Sequence, residues 1–211
     1  TMQDDKTRMK EGYRRVIKIT MLVTFVLMFG LAAVAKPMIL VLVGDQWLMA
    51  ADLLPVICFS MVLYPLHSLN LNILQVEGRT DLFLKLEIIK KCIAVIPVLM
   101  GIFIGIYWML WGSVVTGLFA YYLNSYYSGK LLGYPIISQL KDILPSFAVA
   151  SVMAVVTYGV SLLPGSPFIL LPVQLVIGAG ITWVLCEWFQ LSEYKELKSI
   201  ALSVIQKNRR K

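Results

Sequence analysis

The residues best placed to do chemistry stand together in "EGRTDLFLKLEIIKKCIAVIPVLMGIFIGIYWML", residues 77–110. Seven charges come first, Glu77, Arg79, Asp81, Lys85, Glu87, Lys90 and Lys91, and nineteen uncharged residues follow. Lysine and arginine at the edge of so long an apolar run can pair with a phosphate-bearing group. Two readings stand. In one, Arg79, Lys85, Lys90 and Lys91 form a basic gate or cavity mouth that binds an anionic headgroup, because ionisable groups at membrane depth usually face a cavity or a partner. In the other, the long side chains snorkel to the headgroup layer and only fix a helix end. Arg79 precedes the helix, so snorkelling explains it less well. Asp81–Lys85 and Glu87–Lys91 stand at i,i+4 with opposite sign and are expected to pair.

Other polar candidates are sparse. His67, Asn70, Asn72 and Gln75 lie in one half of an apolar run. They can hydrogen-bond between helices, or Asn70 and Asn72 can line a wet cavity wall and contact sugar hydroxyls. "KPMILVLVGDQW", residues 36–47, breaks a helix at Lys36-Pro37, turns the chain at Gly44-Asp45 and anchors it with Trp47. Lys36, Pro37, Gly44 and Trp47 are therefore candidates for a gate or interface, with a plain interfacial turn as the alternative. Gly101 and Gly105 in "GIFIG" have the spacing of close helix packing. Cys58, Cys92 and Cys186 are far apart, with no metal or redox spacing, and read as small core hydrophobes. With one histidine and no partner for it, no catalytic residue, metal site or cofactor is expected.

The elements that position these residues follow from composition. The chain is 59% hydrophobic and 15% charged, with a mean hydropathy of +0.79, against about half and a quarter in soluble domains. Uncharged runs of 24, 38 and 44 residues cover 53–76, 92–129 and 143–186, and about 20 apolar residues span a bilayer as a helix. The chain is expected to be all-α, a polytopic transmembrane helix bundle of about six spans: 16–43, 51–75, 82–106, 108–127, 144–163 and 168–189. Two spans and a turn barely fit the run of 38, so the third helix must begin inside the charged stretch, near Leu82. The chain divides into a cytoplasmic lead-in (1–15), four spans (16–127), a cytoplasmic loop (128–143), a terminal hairpin (144–189) and an amphipathic basic cytoplasmic tail (190–211). "PGSP", residues 164–167, turns the hairpin.

Eighteen of the nineteen basic residues then fall on one side and only Lys36 on the other. The positive-inside rule makes both ends cytoplasmic. Trp47, Tyr107, Trp108 and Trp111 fall at outer ends, and Tyr121, Tyr122, Tyr126, Tyr127, Trp183 and Trp188 near inner ends, as an aromatic belt requires. In the tail, Leu191, Tyr194, Leu197, Ala201, Val204 and Ile205 recur at helical spacing between lysines. The expectation is a helix lying on the inner surface, with Arg209 to Lys211 meeting anionic lipid.

"QDDKTRMKEGYRRVIKIT", "AKPMILVLVGDQW" and "LQVEGRTDLFLKLEIIKK", in that order, resemble the C-terminal half of bacterial polysaccharide flippases. These belong to the multidrug/oligosaccharidyl-lipid/polysaccharide superfamily, and the match is closest to the lipopolysaccharide (O-antigen) biosynthesis branch. The resemblance covers residues 3–129, and the last two spans fit by position and hydropathy only. It implies two helical lobes around a central cavity, with this chain the C-terminal part of the two-lobe transporter and the N-terminal lobe missing. The absence of an initiator Met agrees with a fragment. It also implies a partner: a lipid-linked oligosaccharide, the undecaprenyl-pyrophosphate repeat unit, moved across the bacterial inner membrane. Cationic cavity residues would hold the pyrophosphate. Arg79, Lys85, Lys90 and Lys91 are candidates by chemistry, not by motif. Membrane lipids are the other partners, and no nucleic acid is expected. A small-molecule or drug exporter of the same superfamily remains an alternative that would need an acidic cavity residue, for which Glu87 and Asp52 stand near spans. A membrane enzyme of glycan assembly would need His, Arg or Asp clusters in outer loops, where only Lys36 and Asp45 lie. A purely structural bundle is the third alternative.

Overall fold

The computed structural model describes residues 2–208, with side chains for 7–199 and Ser203. Among the described residues the helices are α1 (Met2–Ala33), α2 (Ala35–Leu42), α3 (Leu48–Met61), α4 (Tyr64–Val76), α5 (Thr80–Phe103), α6 (Ile106–Leu132), α7 (Ile136–Val160), α8 (Pro167–Trp188) and α9 (Ser192–Asn208), with a 3-10 turn at Asp45–Trp47. Five stretches are long and apolar enough to cross a membrane: Thr7–Ala33, Asp45–Val76, Ile106–Leu132, Ile136–Val160 and Pro167–Trp188. Helix α5 is not among these five. Its 24 residues reach about 36 Å as a helix, enough for a hydrocarbon core of about 30 Å, but its first half is charged. The protein is an all-α polytopic bundle of about six spans.

Proline and glycine set the breaks. Pro37 is the third residue of α2, and α1 ends just before it at Ala33. Pro65 is the second residue of α4, so the second crossing is two helices meeting at Val62 rather than one. A proline there has no N–H to give and crowds the carbonyl four residues back, Met61, where α3 stops. Gly105 turns α5 into α6 at φ +127°, so it serves the turn and not the helix packing expected of it. Gly101 does pack closely: a Cβ there would lie 3.0 Å from Met109 Sδ on α6. Gly133, at φ +63°, closes α6 in the left-handed region. Pro135 then restarts the chain as α7, so the expected loop 128–143 shrinks to residues 133–135.

Helix α1 is the axis of the packing. It lies along α7 and also touches α3, α4 and α9. Its inward stripe is Tyr13, Ile17, Met21 and Phe25, four residues apart as a helix face demands. They meet Leu66 of α4, Tyr121 of α6, Tyr134 and Ile143. Tyr121 is thus core and not part of the aromatic belt. Trp47, Trp108, Trp111, Trp183 and Trp188 are exposed. Cys58 and Cys186 are buried, whereas Cys92 is exposed on α5 rather than in the core.

The tail forms helix α9, and at its start the described apolar residues are covered by protein. Leu191, Tyr194 and Leu197 pack with Leu22, Val149 and Cys186. Arg15–Glu196 and Lys18–Glu193 tie it to α1, and Lys198–Glu187 ties it to α8. Arg209 to Lys211 lie outside the described residues, as do the side chains of Ala201, Val204 and Ile205.

Candidate functional site

A cleft of about 480 Å³ opens between α3, α4, α5 and α6. One face of α5 supplies Glu87, Lys90, Lys91, Ala94 and Pro97. Ser60 of α3 with His67 and Ser68 of α4 form a second wall, and Ser113, Thr116 and Gly117 of α6 a third. The Lys90 ammonium donates to Glu87 Oε1, with the two side chains 18% and 31% exposed. His67 Nδ1 is buried without a hydrogen-bond partner, and its ring meets Tyr121 edge-on at 6.0 Å.

Depth gives these charges meaning. Lys90 precedes the end of α5 at Phe103 by thirteen residues, about 20 Å along the helix. A hydrocarbon core of about 30 Å measured from that end reaches past Lys90 by a further 10 Å or so. An apolar layer ending at Phe103 would thus take in Glu87, Lys90 and Lys91, and the cleft and their opposite charges would make them tolerable there. Two ammonium groups, one carboxylate and a wall of hydroxyls can hold a phosphate-like anion and hydrogen-bond polyols.

The structure sorts the expected residues. Lys90 and Lys91 line the cleft, while Lys85 is exposed and outside its lining. Arg79, in the α4–α5 turn, pairs with Asp81 at 3.2 Å in the open, and its guanidinium holds the Asp81 carboxyl below the ordinary range. The pairs are thus Arg79–Asp81 and Lys90–Glu87, in place of the expected Asp81–Lys85 and Glu87–Lys91. Asn72 is exposed and Asn70 is buried, and neither lines the cleft. Lys36 and Trp47 are exposed on α2 and the 3-10 turn, Pro37 is buried, and Gly44 takes φ +94° at the turn. They lie apart from the cleft lining. A larger hollow of about 920 Å³ between α1, α2, α7 and α8 has no charged residue among the described residues of its lining, so it suits hydrocarbon and not an anion.

Asn70 instead hydrogen-bonds between helices, the first of its two expected readings, in a buried network whose partners the sequence reading did not name. Its amide donates to Gln139 Oε1 at 3.0 Å, and Gln139 Nε2 donates back to Asn70 Oδ1 at 3.0 Å. The remaining amide hydrogens reach Leu66 O and Tyr134 O. The hydroxyls of Ser125 and Tyr121 donate to Gln139, and that of Ser128 to Asn70. Beside it, Tyr134 donates to Asp142 at 2.6 Å, and the Arg14 guanidinium grips the same carboxylate through two nitrogens. Burial, and then the Asp142 carboxylate, raise the Tyr134 phenol above its ordinary range. Gln139 and Asp142 escaped notice because they fell in a stretch expected to be a loop. The usable signal was their i,i+3 spacing, with Ser146 four further on.

A family described as "Polysaccharide biosynthesis protein" matches residues 1–52. The teichuronic acid biosynthesis protein TuaB of Bacillus subtilis is 22% identical over 154 residues, 72% of this chain and 32% of that protein. An uncharacterised membrane protein in the cps region of Klebsiella pneumoniae is 28% identical over 102 residues, 46% of this chain and 20% of that protein. The chain therefore spans a third or less of the length of these relatives. No solved structure matches. The similarities support a multi-pass membrane protein with a role in polysaccharide biosynthesis.

Proposed function

We propose that this chain is part of a flippase for lipid-linked oligosaccharides, working in the bacterial inner membrane with both ends of the chain cytoplasmic. The observation that carries this reading is the cleft lined by Lys90 and Lys91 of α5 together with hydroxyl-bearing residues of α3, α4 and α6. A pyrophosphate bearing sugars cannot cross hydrocarbon unaided, since each desolvated charge costs many kcal/mol. Lysines in a cleft replace water at the pyrophosphate, hydroxyls of Ser60, Ser68, Ser113 and Thr116 suit the sugars, and the polyprenyl tail stays in lipid. Transport by alternating access would rock this helical lobe against an N-terminal lobe around the site. No bond is made or broken, so the protein acts as a transporter and not as an enzyme. The likeness of residues 1–52 to a polysaccharide biosynthesis family and the teichuronic acid relative support this substrate class.

An exporter of cations would use Glu87 as its acid. The pairing of Glu87 with Lys90 and the excess of lysine in the cleft weigh against it.

Complementation tests the proposal. The complete gene should restore surface glycan in a flippase-null strain. Lys90→Gln with Lys91→Gln should abolish most of that restoration, while Lys85→Gln should leave it nearly intact. Undiminished glycan with both cleft lysines neutralised would remove the site. A complete gene that never restores glycan in several hosts would remove the transport reading.

A further inference from the structure

We infer that Glu87 is an internal competitor for the anion: it holds Lys90, and a phosphate-type group must displace it to bind. The inference rests on the cleft being the anion site. Among the described residues Glu87 is the one acid in the cleft lining, and the facing walls offer only neutral groups: Ser60, Ser68, His67, Ser113 and Thr116. Its carboxylate accepts from the ammonium of Lys90, which also belongs to the cleft lining. The two residues are three apart on α5, so neither backbone need move when the pair opens. Rotation of the Glu87 side chain about its own bonds is enough.

The physics favours such an exchange. Two lysines at membrane depth without a counter-charge would be costly. Glu87 lowers that cost, and it lowers the cleft's hold on an incoming anion by the same interaction. One carboxylate leaves Lys90 as one phosphate oxygen arrives, so net binding is the small difference of two similar ion pairs. A site that must also release its cargo needs that balance, binding well enough to load and weakly enough to let go. His67 Nδ1, buried without a partner, adds a polar atom that an arriving anion or its hydroxyls can satisfy.

The test uses the intact protein in nanodiscs of uncharged lipid, titrated with inorganic pyrophosphate and with farnesyl diphosphate. Removing the competitor should tighten binding: Glu87→Gln is expected to lower Kd by roughly three- to tenfold for both probes, and to slow transport in reconstituted vesicles because release slows. Glu87→Asp keeps the charge and should fall between wild type and Glu87→Gln. In a Lys90→Gln background the Glu87→Gln effect should largely vanish. Equal or weaker binding by Glu87→Gln, with the protein's thermal midpoint unchanged, would overturn the competitor role. Unchanged binding in Lys90→Gln would instead overturn the anion site on which it rests. Tightening seen for farnesyl diphosphate alone upholds the competitor and identifies the lipid-linked source.

Discussion

At the scale of single residues, the amide pair of Asn70 and Gln139 shows what lipid demands of a polar group. Each amide has both hydrogens and its oxygen engaged, so burial in the bundle leaves nothing unsatisfied. Truncating one member strands the other. Gln139→Ala should destabilise by about 1–2 kcal/mol, the cost of an orphaned buried amide, somewhat above the ~0.6 kcal/mol average for interhelical bonds in membranes. Asn70→Leu with Gln139→Leu should cost less than the two single changes summed, because both polar groups then leave together. Thermal unfolding in detergent across the double-mutant cycle measures this. Tyr134 gives a pH dependence. Burial raises its folded pKa above the ordinary value of about 10. The stabilisation is therefore complete below about pH 10 and is lost as pH climbs toward the folded value. Tyr134→Phe should cost about 1.5–3 kcal/mol at neutral pH for the lost bond to a carboxylate, and should lose stability less steeply above pH 10 than the wild type. Parallel slopes would show that Tyr134 is not the titrating group.

At the scale of elements, the α5–α6 hairpin decides whether the cleft keeps its shape. Gly112 lies where an added Cβ would come 3.0 Å from Met100 Sδ and 3.3 Å from the Pro97 Cα. The methionine can move, but the proline backbone cannot, and Pro97 lines the cleft. Gly112→Ala should cost about 1–3 kcal/mol through forced separation and weaken anion binding. Gly180→Ala, where nothing lies within 4 Å, is the neutral comparison. Much of this element level was legible beforehand. Pro37 and the "PGSP" turn marked helix ends where helices end, because proline's missing N–H acts locally. The pairing partner of each helix was not legible, since α1 meets α7 across more than a hundred residues. Nor could charge spacing choose between Lys90 and Lys91 as partner of Glu87, because i,i+3 and i,i+4 are both neighbours on a helix. The α6 wall was readable in hindsight: Ser113, Thr116, Gly117 and Ala120 keep one helical face small and polar amid aromatic neighbours.

At the scale of the whole molecule, charge is distributed along one axis. The α1 start, the α6–α7 turn and α9 meet at one end: Lys10 donates to Gly133 O at 2.6 Å, Arg14 reaches Asp142, and Arg15 reaches Glu196. Lys36 belongs to α2, beyond the far end of α1. Moving this many cations across a bilayer is prohibitive, so the basic end should stay where the chain is made. Two exposed lysines test it, Lys36 near one end and Lys141 near the other. In intact cells a membrane-impermeant amine reagent should label Lys36 and spare Lys141, and lysed cells should show both labelled by mass spectrometry of the peptides. The reverse pattern would place the Lys90 cleft's nearer end outside. The anion would then load from the wrong leaflet for export, and the flippase reading would fail with the topology.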